Sequence, residues 1–310
     1  MKIGIALAAY QPRPEFFAAQ LASLCQQSYR DWVCCITLDS PLMDCKRQPE
    51  LAPFFSDVRF HWSENPVRLG HLKNFERATQ AVLILGVDAI AYCDQDDIWF
   101  PEKLAVQVET LQKLGPGGLV FCDMKLINFD GNIIDERTAW QVERRGVHHC
   151  GSFDLLVRNV VPGTGLLMDA SLASRYPVIP AAAIYHDHWY PLIASKVGKI
   201  EPINLALYAY RIHGENVAGI NAYRSFFSHE DKLGLMAKCS AVWSRSRELA
   251  RAVESQGLSL SLFERWAFLD KWDCGLLLFV RGWISLLSDP ALARACWARV
   301  CGKLISIFTI

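Results

Sequence analysis

Asp94, Asp96 and Asp97 stand together in the stretch AYCDQDDIWFPEKL (residues 91–104), directly after an apolar run and just ahead of Trp99 and Pro101. Carboxylates this close repel one another, and each is costly to keep ionised beside a low-dielectric core. A positive partner must offset them. The residues alone leave two readings. The stretch is a solvated acidic loop capping a helix that starts near Pro101, or Asp94-x-Asp96 offers hard oxygen ligands at a spacing that suits one Mg²⁺ or Mn²⁺. A divalent ion there would cancel the repulsion and leave positions for diphosphate oxygens.

The elements around these aspartates decide where they sit. Residues 2–8, 32–38, 58–63, 89–93 and 119–122 read as short apolar strands, and residues 14–27, 71–85 and 101–114 as amphipathic helices between them. Such alternation predicts an α/β fold with a mostly parallel, Rossmann-like sheet and helices on both faces. Ligands of such sheets bind beyond the carboxyl ends of the strands. Asp39 follows one strand and Asp94 another, so both acidic groups fall on that edge. NFDGNII (128–134) carries an Asp130-Gly131 turn between apolar flanks and predicts a hairpin. Beyond about residue 200 the periodicity reads as helical to the end, with residues 221–310 as a helical appendage to a catalytic region of residues 1–220.

Composition narrows the classes. The 310 residues are 52% hydrophobic, enough for a sizeable core, and the formal net charge of +0 argues against a broad nucleic-acid surface. The 11 cysteines are scattered without a C-x-x-C pair, which suits reduced thiols in the cytoplasm. His148, His149 and Cys150 lack the second cluster that a zinc site needs. The amino-terminal apolar run is at the short limit for a signal peptide, with Gln11-Pro12-Arg13-Pro14 following at once, and reads better as a buried strand. GLLLFVRGWISLL (275–287) is too short to span a bilayer and carries Arg281. Residues 281–310 hold Arg281, Arg294, Arg299 and Lys303 against Asp289 alone, with Leu292, Cys296, Val300 and Leu304 at helical spacing. That pattern fits a helix lying on an anionic membrane surface, or one packed on protein.

Residues 2–219 resemble the family 2 inverting glycosyltransferases, which have a GT-A-type fold, and most of all the bacterial branch labelled rhamnosyltransferases of polysaccharide and O-antigen assembly. The resemblance rests on ordered motifs: IALAAYQP, ITLDS, NPVRLGHLKNFERA, DQDDIW, NVVPGTGLLMD, HDHW and YRIHGENVAG. It implies donor contacts from Ala8, Tyr10, Asp39, Arg68, Asn74 and Asp94, with Asp96 and His213 as metal ligands. Arg211 would pair with phosphate through two parallel hydrogen bonds. Gly163, Thr164, Gly165 and Trp189 would lie on the acceptor side, and Asp187 would be the catalytic base. For several of these a structural role competes: Asp187 as a helix N-cap, Gly163 and Gly165 as turn formers, Trp189 as packing, His213 as a turn cap.

The function implied is a metal-dependent transferase that moves a sugar from a nucleoside diphosphate to a hydroxyl of a lipid-linked glycan. dTDP-L-rhamnose is the first donor reading, and a UDP-hexose or UDP-N-acetylhexosamine the alternative. The expected location is the cytoplasm, with peripheral contact to the inner face of the plasma membrane open. A haloacid-dehalogenase phosphatase would carry its Asp-x-Asp on the first strand, where KIGIALAAY has no Asp. A nucleotidyltransferase would carry a Gly-rich basic loop where AAYQPRP stands, and an inactive scaffold would have no need of Asp96 and Asp187.

Overall fold

Alternation of short apolar strands with amphipathic helices builds one extended sheet. In the computed structural model, residues 1–143, 150–183, 185–213, 232–269, 278 and 290–308 are described. The chain divides into two units. One comprises Met1–Val142, Val161–Ile179 and Ile184–His213, the other Glu143–Val160, Pro180–Ala183 and Gly214–Ile310. The sequence boundary at 220/221 falls outside the described residues.

The first unit holds the sheet. Its strands are β1 (Ile3–Ala9), β2 (Trp32–Leu38), β3 (Phe60–Glu64), β4 (Ala89–Cys93), β5 (Ile98–Trp99), β6 (Leu119–Ile127), β7 (Ile133–Asp135), β8 (Leu166–Asp169) and β9 (Ile200–Arg211). They run in the order β3-β2-β1-β4-β8-β6-β9-β5, with β7 paired to β6. The long ladders are parallel: β1 with β2 and β4, β2 with β3, and β6 with β9. The antiparallel ladders, made by β8, β5 and β7, span only two or three residue pairs each. The mostly parallel α/β sheet expected from the sequence is therefore present.

The central strands are apolar on both faces because both faces are covered. Ile3, Ile5 and Leu7 of β1 and Ala89, Ile90, Ala91 and Tyr92 of β4 have no exposed surface. Burial of each large aliphatic side chain contributes about 1.5–3 kcal/mol. Helix α1 (Pro14–Cys25) starts at a proline suited to the first helical position and buries Phe16, Phe17, Leu21 and Leu24. Among the longer helices, His71–Ile84 lies on β1 and β2, and it comes so close that a Cβ on Gly4 would stand 2.7 Å from Val82 Cβ. The helix Lys103–Leu114 lies on β6, β8 and β9.

The predicted hairpin forms between β6 and β7. Gly131 takes φ 87° at its turn, and Gly131 N donates to Asn128 O at 3.1 Å. The helical reading beyond residue 200 needs correction, because β9 is a 12-residue strand. Its sequence IEPINLALYAYR keeps Leu207, Tyr208, Ala209 and Arg211 buried, and Pro202 sits ahead of the register shift at Cys122/Asp123. Alternation in that strand is blurred where the pairing slips.

In the second unit, the helix Pro290–Phe308 packs on the helix Lys232–Ser255. Its packed face includes cations. Arg299 is buried and donates from Nε to Ser246 Oγ at 2.6 Å, while Lys303 is buried, donates to Ala267 O at 3.1 Å and lies over the Trp243 ring. Of the two readings of this helix, packing on protein is the one these contacts favour. Two of the cations on which the membrane-surface reading rested are enclosed by protein, and Arg281 lies outside the described residues. Among the described residues no helix is long and apolar enough to cross a membrane, and the cysteines are thiols, not disulfides.

Candidate functional site

β4 ends at Cys93, and the chain turns there through Asp94, Gln95, Asp96 and Asp97 before β5. β9, whose Ala209 and Tyr208 pair with Ile98 and Trp99, returns beside this acidic turn. The result puts Arg211 and His213 against the aspartates. His213 Nε2 and Asp96 Oδ2 lie 2.8 Å apart, both largely shielded from solvent. Arg211 donates from its backbone N to Asp97 Oδ1 at 3.1 Å and from Nε to the Asp96 carbonyl at 3.0 Å. A positive partner demanded by the sequence is thus supplied by Arg211, at the end of the distant strand β9.

Burial, then the charge on Asp94, pushes the Asp96 carboxyl above its ordinary value, against the pull of His213. Asp97 is fully buried, and burial followed by Asp96 and Asp94 raises it further. Behind them lies Lys103, also fully buried. Its Nζ donates to Gln107 Oε1 at 2.9 Å and stands 3.6 Å from the Trp99 ring centroid. Burial lowers the Lys103 ammonium to about 8.

The segment Gly163–Gly165 joins the acidic turn to the start of the helix His186–Val197. Thr164 Oγ1 donates to Asp94 Oδ2 at 2.8 Å. On the preceding residue, a Cβ would stand 3.0 Å from His186 Nε2 and 3.3 Å from Asp187 Oδ2. Glycine at 163 therefore lets the Asp187 carboxylate approach the backbone beside Thr164. Gly165 answers to packing: a Cβ there would stand 2.8 Å from the Cys122 carbonyl. Asp187 lies in the first turn of its helix, where the dipole favours a carboxylate. The N-cap is Tyr185, so Asp187 is not the capping residue. Pro191, four residues on, removes the helix hydrogen bond that would end on the Asp187 carbonyl.

The carboxylate of Asp39 is buried and turned to the protein. It accepts from Asn65 Nδ2, from Leu69 N at 3.1 Å and from Gly70 N at 2.7 Å. Asn74 is buried too, donating to the Ala9 and Thr37 carbonyls at the ends of β1 and β2. Both side chains hold the 65–70 loop and the strand ends together. Tyr10 and Arg68 are exposed at this edge, and the Arg68 guanidinium carbon sits 4.0 Å from the Tyr10 ring centroid. Tyr10 N donates to Gln95 Oε1 at 2.8 Å, tying the end of β1, just beyond Ala8, to the acidic turn.

Two residues stand elsewhere than the resemblance implied. The Arg211 guanidinium, expected on phosphate, lies against the carbonyls of Asp96, Asn128 and Phe129 and over the Phe16 ring, 4.3 Å from its centroid. Trp189 has no exposed surface and is part of the core of its helix. Residues the sequence reading passed over also line this region. His71 opens its helix next to Gly70, within electrostatic reach of Asp94, and burial lowers its imidazole. His186 is buried against Tyr92 and Phe75, with ring centroids 4.1 and 4.2 Å away, and burial drives its imidazole well below the ordinary value. The signal was present in GHLKNF and YHDHW, as histidines inside motifs otherwise read for Asn74 and Asp187.

Among the described residues, no group of three or more His, Cys, Asp or Glu side chains converges as a metal cage. Asp96 Oδ2 and His213 Nε2 are a two-donor set of carboxylate oxygen and imidazole nitrogen, chemistry that fits Mn²⁺ with further positions left for ligand oxygens.

Whole-chain comparison adds the fold. A structure of S. aureus TarS in complex with UDP-GlcNAc superposes with a TM-score of 0.58 at 11% identity, covering 100% of this chain and 91% of that one. The mannosyltransferase PcManGT from Pyrobaculum calidifontis, in complex with GDP-Man and Mn²⁺, superposes with a TM-score of 0.53 at 13% identity, covering 99% and 86%. The fold is of the GT-A type. No protein-family model matches the sequence, and no curated protein matches it. In this GT-A sheet the acidic turn after β4 lies at the carboxyl ends of β1 and β4, the edge where open α/β sheets bind their ligands.

Proposed function

We propose that the chain is a metal-dependent inverting glycosyltransferase acting on a nucleoside diphosphate sugar. The observation that carries this reading is the placement of Asp187 beside Gly163, with Thr164 bonded to Asp94 and Asp96 paired with His213. One carboxylate, Asp187, thereby lies outside the acidic turn, beside the residue that precedes Thr164. Two carboxylates in different surroundings can hold different tasks.

In the proposed reaction an acceptor hydroxyl attacks the anomeric carbon as the nucleoside diphosphate leaves from the opposite face. Asp187 takes the hydroxyl proton as the bond forms, from a hydrogen-bond distance of about 2.6–3.2 Å. Asp94, oriented by Thr164, hydrogen-bonds the sugar moiety, and Tyr10 and Arg68 offer an exposed aromatic face and a cation to the nucleotide. Asp96 and His213 would hold the divalent ion, which supplies Lewis-acid stabilisation of the departing diphosphate. No covalent intermediate is required, and the buried cysteines have no part.

For the donor, the DQDDIW form favours dTDP-L-rhamnose, and a UDP-hexose or UDP-N-acetylhexosamine is the second reading. The acceptor proposed is a lipid-linked glycan of surface polysaccharide assembly. The two structural neighbours add UDP-GlcNAc and GDP-Man to the set worth testing. Thermal unfolding with dTDP-rhamnose, UDP-glucose, UDP-GlcNAc and GDP-mannose, each with Mn²⁺, Mg²⁺ or a chelator, tests the reading. A ligand at 100 times its Kd stabilises by about 2.7 kcal/mol. Selective stabilisation by one donor, lost with chelator, is expected; uniform silence favours a scaffold.

A further inference from the structure

The Asp96–His213 pair is held by a device one residue to its side. β5 and β9 pair through Ile98↔Ala209 and Trp99↔Tyr208, and no backbone ladder extends to the acidic turn. Side chains continue it. The Asp97 carboxylate accepts from Arg211 N at 3.1 Å, taking the place of a strand carbonyl. Arg211 in turn reaches back from Nε to the Asp96 carbonyl at 3.0 Å. Its Nη1 donates to the Phe129 carbonyl at 2.8 Å, which anchors the guanidinium on the β6–β7 hairpin. Two residues beyond Arg211, His213 meets Asp96.

We infer that Asp97 is a positioning residue that sets the separation of Asp96 and His213, working through the acceptor oxygen it presents to Arg211 N. The inference rests on the proposed metal-dependent function. Each rung restrains one partner of the outer pair: Asp97 fixes the backbone that leads to His213, and Arg211 fixes the backbone of Asp96. With both rungs made, the two donors are preorganised. With either missing, the turn and the end of β9 move apart at the point where the ladder has already stopped. Asp97 has no exposed surface, so it cannot contact a ligand itself in this arrangement. Outer groups that orient ligands typically change metal affinity by about 10- to 100-fold when removed.

Titration of the full chain with MnCl₂, followed by the EPR signal of unbound Mn²⁺, tests this, with circular dichroism as the check on folding. Asp97→Asn keeps an acceptor oxygen at the same place and is expected to hold Mn²⁺ within about threefold of the parent. Asp97→Ala is expected to weaken it about tenfold or more. Should Asp97→Ala fail to fold, Arg211→Met removes the second rung while keeping the backbone N–H on Asp97, and a similar loss is expected. Parental affinity in folded Asp97→Ala or Arg211→Met overturns the inference, and so does an equal loss in Asp97→Asn and Asp97→Ala, which would make the charge the active feature. Failure of the parent to bind Mn²⁺ overturns the metal reading, and this inference with it.

Discussion

His213 and Asp96 are 117 positions apart in the chain and meet at 2.8 Å. β9 carries the histidine to the turn that follows β4, so an imidazole and a carboxylate otherwise unrelated in sequence form one donor pair. Asp96→Ala removes one donor and is expected to abolish metal-dependent binding of a nucleoside diphosphate while the fold survives. Calorimetric titration with UDP, GDP or dTDP, with and without Mn²⁺, reads the effect. Equal metal-dependent affinity in mutant and parent would take Asp96 out of the site.

Asp39 separates two roles that its position at the sheet edge leaves entangled. Its oxygens are occupied by Asn65, Leu69 and Gly70, so Asp39→Ala strands buried donors. A loss of stability of about 1–3 kcal/mol in urea unfolding is expected for each donor left unpaired. Donor affinity should fall with it as the 65–70 loop loosens. Weakened donor binding with unchanged stability would instead make Asp39 a direct nucleotide contact.

Lys103 gives the fold a measurable response to alkali. Its ammonium titrates at about 8 in the folded protein against 10.5 ordinarily. Between those values the unfolded chain binds a proton that the folded chain does not, so this group's contribution to stability rises with pH across the window. The full swing is about 3 kcal/mol. Buried tyrosines and thiols oppose it by losing stability as pH rises, and they do so alike in a Lys103→Met variant except for Cys93 and Cys122, whose thiols feel the Lys103 charge. The stability difference between parent and Lys103→Met, from urea midpoints at pH 7 and 10, should therefore move in favour of the parent. A constant difference would contradict the burial cost assigned to Lys103.

Removing residues 290–308 tests the carboxyl-terminal helix. Arg299 and Lys303 belong to the interior of their unit, so truncation should cost folding or solubility. A soluble, folded protein released from anionic vesicles is the result an anchor would give. Arg299→Ala alone should destabilise by about 1.5–3 kcal/mol, the worth of a hydrogen bond to a charged group, lowering the urea midpoint.

The sheet edge was legible in the sequence because β1, β2 and β4 are short runs, apolar but for Thr37, ended by polar turns. Residues 32–38 and 89–93 match β2 and β4 end to end. β9 was not legible, since its pairing with β6 slips twice and its solvent-facing residues interrupt the alternation. The same gap hid the staple between Asp97 and Arg211, which needs the register of β5 on β9. Burial was the other blind point. Nothing local in HDHW distinguishes the enclosed ring of Trp189 from an exposed one, and nothing in RVCGK shows that Arg299 and Lys303 point inward.

The central claim is that Asp187 takes the acceptor's proton, and one variant tests it. Asp187→Asn keeps the side chain's shape beside Gly163 and much of its hydrogen bonding, yet removes its basicity. With the donor identified from the nucleotide-sugar set, turnover by Asp187→Asn is predicted to fall by about 10²- to 10⁴-fold, with donor affinity and melting temperature close to those of the parent. Near-normal turnover by a folded Asp187→Asn protein would contradict the account.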